Sequence, residues 1–203
     1  CHNVLPHERS RVDRRLVRWA LQRADRLIVH TTAQQALAHR LMPGCSTSVL
    51  PLPSYAAFHS EAWTRDRARA HLGLKGNVLL FFGLIRPYKG LLDLIEAMPA
   101  ISNEVDIKLL IVGEIWGEAS AYQSRISALN LQEKVQLIDR YVSNDEAAMY
   151  FSAVDLVVLP DREATGRAVF QLVFGMGVAV VAARADGMDE VVEHGVTGFL
   201  VDA

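Results

Sequence analysis

Short, continuous apolar runs alternate with amphipathic stretches along most of this chain. The runs Val78–Phe82, Ile107–Val112, Val135–Ile138, Leu156–Leu159 and Val178–Ala182 read as strands buried on both faces, because a half-exposed strand would alternate apolar and polar residues. Between them, Leu91–Ala100, Ala119–Leu129 and Arg167–Phe174 read as helices. Ser143-Asn144-Asp145-Glu146 is a capping box that opens another helix, to Phe151. A short helix, Met188–Glu193, and a strand, Gly198–Val201, close the series. Nearer the start, the pattern predicts a helix over Ser10–Ala24, a strand over Leu27–His30, and a helix capped by Thr31 and Thr32 and running to Leu41. A strand over Val49–Leu52 is closed by Pro51 and Pro53. The polar stretch Ser54–Gly76 holds a helix around Glu61–His71. Strand followed by helix, repeated, predicts an α/β fold with a parallel sheet covered on both faces.

Composition narrows the function classes. With 203 residues, 51% of them apolar, the chain has enough core for one full domain and part of another. Its net charge of −2 gives no nucleic-acid signature, and Cys1 and Cys45 are too few for a disulfide framework. A reducing, cytoplasmic setting is the expectation. No apolar run reaches the length of a membrane span, and no signal peptide is visible. The chain opens on Cys1 rather than Met, which reads as a piece of a longer protein.

Open parallel sheets bind ligands beyond the carboxyl ends of their strands, so the loops after Phe82, Val112, Ile138 and Leu159 matter most. After Phe82 comes Gly83, which lets the backbone turn sharply, then Arg86, Lys89 and a helix start beside Gly90. After Leu159, a loop carries Glu163 and a helix begins near Gly166. Free backbone N–H groups and the positive helix end suit an anion there, and Glu163 suits neighbouring hydroxyls. Phosphate beside hydroxyls is the chemistry of a sugar nucleotide.

Taken in order, FFGLIRPYKG, VGE, IDRYVSNDEAAMYFSAVDLVVLP, EATG and GMDEVVEHGVTGFLV resemble the carboxyl-terminal domain of retaining glycosyltransferases of family 4. That family has the GT-B fold, two Rossmann-like domains facing across a cleft. CHNVLPHE, ADRLIVHT and VLPLPSYAAF resemble the end of its amino-terminal domain and the linker. The resemblance implies that residues 1–53 are the last part of the acceptor domain with the linker. Residues 54–203 would be the Rossmann-like donor domain, truncated at its end. It implies transfer of a sugar from a nucleoside diphosphate sugar, UDP- or GDP-linked, to a hydroxyl of a carbohydrate or lipid-linked acceptor. Configuration would be retained. No metal and no cofactor would be needed, since the nucleotide sugar is a substrate; no Asp-x-Asp motif occurs. This chain alone is expected to have little transfer activity.

Carried over by position, Gly83, Arg86 and Lys89 would lie along the diphosphate. Glu163 would bind donor-sugar hydroxyls, and His2 would border the reacting sugar; these two are the catalytic candidates. Thr165 and Gly166 would contact phosphate or sugar, and Tyr141 and Val142 would sit near the base. Gln171 falls where a Glu usually binds the ribose. An amide still bonds to a diol, but more weakly than a charged acceptor. Leu84 stands where an arginine commonly follows the glycine. Arg167 occupies a first helical turn where a small residue is usual; it clamps phosphate or faces solvent in the reading favoured here.

Other readings stay beside this one. Gln171 and Arg167 also suit a non-catalytic sugar-nucleotide binding module, and a GT-B sugar-nucleotide epimerase is the nearer enzymatic rival. A dinucleotide-dependent oxidoreductase lacks its glycine fingerprint. Cys1, His2, His7 and Glu8 fit no common zinc spacing. Seven arginines between Arg9 and Arg26 flank an apolar stripe that includes Leu16 and Trp19. A helix docked on its own sheet is the plainer account, and a peripheral contact with an anionic inner membrane face is the alternative.

Overall fold

A computed structural model describes residues 4, 13–53, 55, 62–162, 167–185 and 188–202. The first unit is small. Helix α1 (Asp13–Leu21) precedes strand β1 (Leu27–Val29), helix α2 (Thr32–Leu41) and strand β2 (Thr47–Val49). Strands β1 and β2 pair in parallel over a cluster of Val4, Val29, Ala38 and Met42. The second unit contains helix α3 (Arg65–Leu72), strand β3 (Asn77–Phe82), helix α4 (Leu91–Glu104), strand β4 (Ile107–Val112), helix α5 (Ala119–Ala128) and strand β5 (Val135–Ile138). Helix α6 (Asn144–Ala153), strand β6 (Leu156–Leu159), helix α7 (Arg167–Gly175), and strands β7 (Ala179–Ala183) and β8 (Phe199–Val201) follow.

Six parallel strands form one sheet in the order β5-β4-β3-β6-β7-β8. Successive side chains on β3 point to opposite faces. Val78 and Leu80 enter a core with Phe151 and Phe170, and Leu79 and Phe81 enter a second core with Ile95 and Ile126. Both faces are therefore packed, which explains why Val78–Phe82 and β6 read as unbroken apolar runs. The fold is the doubly wound α/β arrangement that the sequence pattern implies.

Local chemistry sets the helix ends. Thr31 accepts the Gln34 amide at the start of α2, and Gly73 (φ 64°) ends α3 in the left-handed region. The capping box at Ser143 and Glu146 is complete. Glu146 is held at a pKa of about 2, mainly by the Arg140 guanidinium and then by the Ser143 backbone N–H.

Several boundaries differ from the sequence expectation. Helix α4 runs through Pro99 to Glu104 rather than stopping at Ala100. Strand β2 lies at Thr47–Val49, because Leu27 pairs with Thr47 and Val29 with Val49, and Pro51 and Pro53 have no N–H for a ladder. Helix α1 ends at Leu21, not Ala24. Met188–Glu190 forms a single 3-10 turn in place of a helix to Glu193.

The two units touch. The Glu190 carboxylate accepts from Thr32 N at 2.9 Å, Thr32 Oγ1 at 2.8 Å and Ala33 N at 3.1 Å, so it sits on the positive end of α2. Tyr55 N donates to the Gln171 carbonyl at 3.3 Å.

Candidate functional site

The strand order reverses between β3 and β6, and open α/β sheets hold their ligands in the crevice at that point. The backbone there is tightly drawn. Gly113 (φ 151°) lies so close to its neighbour strand that a Cβ would sit 1.9 Å from the Gly83 carbonyl oxygen. Gly90 (φ 66°) would place a Cβ 2.0 Å from the Pro160 carbonyl oxygen. No other residue type fits either position without a shift of the backbone.

Past these turns the β3 and β4 loops stay zipped together. Ile85 N donates to the Glu114 carbonyl at 2.9 Å, and Trp116 N donates to the Ile85 carbonyl at 2.9 Å. Arg86 follows on this extension, with its guanidinium 4.4 Å from the centre of the Trp116 ring.

The loops after β3 and β6 are fastened by charge. Lys89 Nζ lies 2.7 Å from Asp161 Oδ1, with the Lys89 side chain 13% exposed and Asp161 fully buried. Arg162 N donates to the Tyr88 carbonyl at 2.9 Å, and its guanidinium makes a two-pronged pair with Asp93 at 2.6 and 2.8 Å. The two turns expected to act together thus lie at one rim of the sheet. The start of α7 joins them, since a Cβ on Gly83 would meet Val169 Cγ2 at 3.4 Å.

At this rim lies a cavity of about 450 Å³. Phe82, Val142, Ala147, Val169 and Leu172 make its apolar walls, Gly83 and Gly113 its backbone floor, and Glu114, Arg140, Tyr141 and Asn144 its polar border. The cavity thus brings Gly83, Tyr141 and Val142 together. Arg86 and Lys89 border the rim but do not line the cavity. Gln171 lines a neighbouring cleft of about 330 Å³ with His30, Thr31 and Glu190. His2, Glu163, Thr165, Gly166 and the side chain of Arg167 lie outside the described residues, as do Cys1, His7 and Glu8.

Sequence reasoning missed Glu114, Arg140 and Asn144 at the cavity, and Asp161 beside it. Arg140 lies two residues past the end of β5, in one of the strand-end loops to which the rule on open sheets points. Nothing local marks Asp161 as the partner of Lys89. Among the described residues no cluster of three or more His, Cys, Asp or Glu side chains could hold a metal ion. No described helix is long and apolar enough to cross a membrane.

A tight glycine-floored crevice at the reversal of a doubly wound parallel sheet is where α/β domains of this class bind their ligands. The comparisons with known proteins agree and go further. The sequence model described as Glycosyl transferases group 1 matches residues 76–203, and the chain belongs to that family. It is 29% identical over 199 residues to a D-inositol 3-phosphate glycosyltransferase 1 of Catenulispora acidiphila, covering 93% of this chain and 45% of that one. It is 26% identical over 188 residues to the lipopolysaccharide 1,2-N-acetylglucosaminetransferase of Salmonella typhimurium, covering 86% of this chain and 48% of that one. The chain thus spans about half the length of the curated relatives it matches. Among solved structures, Anabaena Alr3699/HepE in complex with UDP and glucose superposes with a TM-score of 0.84 at 25% identity, over 100% of this chain and 56% of that one. A sucrose-phosphate synthase from Thermosynechococcus elongatus shares the fold, with a TM-score of 0.82 at 22% identity over 96% of this chain and 49% of that one. The architecture is that of the carboxyl-terminal domain of a GT-B glycosyltransferase.

Proposed function

We propose that the protein to which this chain belongs is a retaining glycosyltransferase of family 4. In this reading it moves a sugar from a nucleoside diphosphate sugar, UDP- or GDP-linked, to a hydroxyl of a carbohydrate or lipid-linked acceptor. It does so without a bound metal, in the cytoplasm. The observation that carries this reading is the crevice between β3 and β6, with Gly83 and Gly113 as floor and the start of α7 at its edge. The solved neighbour with UDP and glucose bound supports the ligand class.

The chemistry follows from that geometry. As the bond to the sugar breaks, positive charge develops on the sugar and negative charge on the departing diphosphate. A helix start leaves N–H groups without intrahelical partners and carries a positive end, and in this reading the start of α7 turns both to that diphosphate. Arg86 adds charge from the rim. Lys89 must leave Asp161, or share it, to reach a phosphate, so its part is to hold the loop after β3 against the loop after β6. Glu163 takes hydroxyls of the donor sugar, and Thr165, Gly166 and Arg167 take phosphate or sugar. His2 borders the reacting carbon; Gln171 faces the neighbouring cleft, so the ribose contact implied for it is not part of this reading.

UDP-glucose and GDP-mannose, each added in excess to the purified chain, test the reading. Binding to the folded state alone stabilises by about 2.7 kcal/mol at a hundredfold excess over Kd, so the melting temperature should rise with one of them. No rise with any UDP-, GDP- or ADP-sugar would end the proposal. A second reading, a sugar-nucleotide binding module without transfer, is favoured by the engagement of Lys89 with Asp161. It predicts binding but no glycosylated product from the whole protein. Transfer by this chain alone is not expected, since the relatives it matches are about twice as long.

A peripheral membrane contact belongs to the same proposal. Helix α1 exposes Leu16 and Trp19, each 58% accessible, beside exposed Arg15, Arg18 and Arg23. Cosedimentation with phosphatidylglycerol vesicles at low salt, lost on Trp19→Glu, is the expected result. Equal pelleting with neutral vesicles would remove it.

A further inference from the structure

Arg140 is the one described cation that lines the cavity, and neither the family match nor the relatives assign it a role. It stands at the carboxyl end of β5, where the chain turns into α6. Its guanidinium is fixed rather than loose. Nη2 donates to the Glu146 carboxylate, and Nη1 donates to the Tyr141 carbonyl at 3.1 Å. Glu146 is itself anchored by Ser143, whose N–H and hydroxyl donate to it at 3.0 and 3.2 Å. A guanidinium has five N–H donors and no acceptor. Two donors are committed to Glu146 and Tyr141, and the side chain stays 51% exposed at the cavity border.

The cavity has two unlike ends. The end at α7 and Gly83 offers backbone and a positive helix start, which suits phosphate. The end at β5 and α6 offers Val142 and Ala147 as apolar walls with the Tyr141 ring, 75% exposed, beside them, which suits a flat ring. A nucleotide therefore places its phosphates toward α7 and its base toward Arg140.

We propose that Arg140 reads the nucleobase and selects one whose edge presents acceptors, the carbonyl oxygens of uracil or of guanine, over adenine. This rests on the nucleotide-site reading above. An arginine fork matches an acceptor edge such as guanine O6 and N7, while the adenine amino group sets donor against donor. The anchoring by Glu146 keeps the fork in place before the ligand arrives, so little freedom is lost on binding.

Calorimetric titration of the chain with UDP, GDP and ADP tests this. The unaltered chain should bind UDP or GDP at least tenfold more tightly than ADP. Arg140→Met, which keeps bulk but has no donors, should erase that gap and leave ADP affinity within about twofold. Arg140→Lys keeps the charge without the fork and should keep only part of the gap. UDP and GDP, run separately, say which of the two carbonyl-bearing bases is preferred, and either outcome supports the proposal. Equal affinity for all three nucleotides, or a gap untouched in both variants, overturns the role of Arg140 and leaves the nucleotide site standing. No binding of any nucleotide by the unaltered chain overturns the site and the proposal together.

Discussion

Two ion pairs border the same crevice and share little beyond their signs. Lys89 and Asp161 are 13% and 0% exposed, whereas Arg140 and Glu146 are 51% and 35% exposed. The first pair joins loops far apart in sequence, one after β3 and one after β6. The second sits within one turn, where β5 passes into α6. A buried pair tolerates no loss of one partner, because the charge left behind has no water to turn to. An exposed pair loses little on disruption, since solvent replaces the partner. The buried pair is therefore architecture, holding the rim that makes the crevice. The exposed pair keeps donors available and can serve recognition.

The largest expected effect breaks the architectural half of that contrast. Lys89→Met should leave Asp161 buried without its cation and cost about 3–5 kcal/mol in urea unfolding. A loss no greater than that of Arg140→Met would erase the distinction between the pairs. Next comes Gly113→Ala, which forces a side chain onto the Gly83 carbonyl. Backbone strain of this kind costs about 1–3 kcal/mol before the clash is counted, and nucleotide affinity should fall with it. Unchanged UDP binding in a folded Gly113→Ala chain would mean the glycine floor does not touch the ligand. Smaller still, Ser143→Ala removes the cap of α6 and should cost about 1 kcal/mol. It should also loosen Glu146 and with it the fixed position of Arg140, so the preference for UDP or GDP over ADP should narrow.

The smallest effect sharpens the exposed half. Glu146 has a folded pKa of about 2 against an ordinary 4.5. A carboxylate with a depressed pKa contributes stability that is present above about 4.5 and lost as pH falls through 2. Wild type should therefore lose stability between these values more steeply than Glu146→Gln. Parallel pH profiles of the two would show that the pair with Arg140 does not persist in solution.

How much of this was legible in the sequence depends on how far apart the partners lie. The unbroken runs at Val78–Phe82 and Leu109–Val112 gave away both-face burial, and Ser143 with Glu146 gave away a helix start, because each signal is local. Helix α4 outran its expected end at Ala100 because Ile101, in the added turn, packs against the same core as Leu94, Ile95 and Met98. Strand β2 moved because register is set by pairing with β1, which no local pattern reports. At the site, Gly83 follows from the rule on strand ends, and Tyr141 and Val142 come from the family resemblance. The capture of Lys89 by Asp161 joins residues on different loops and becomes visible only once β3 and β6 are neighbours. Gln171 fell outside the cavity for a helical reason: Ala168, Val169 and Leu172 share one face of α7, and Gln171 with Phe174 faces the cleft beside His30.

The most direct test of the nucleotide crevice is the backbone amide spectrum of the isotopically labelled chain with and without UDP. The amides of Gly83, Gly113 and Val142 should shift together in a saturable way, with those of His30 and Glu190 unmoved. Shifts confined to His30, Gln171 and Glu190, or no shifts at saturating nucleotide, would contradict the account.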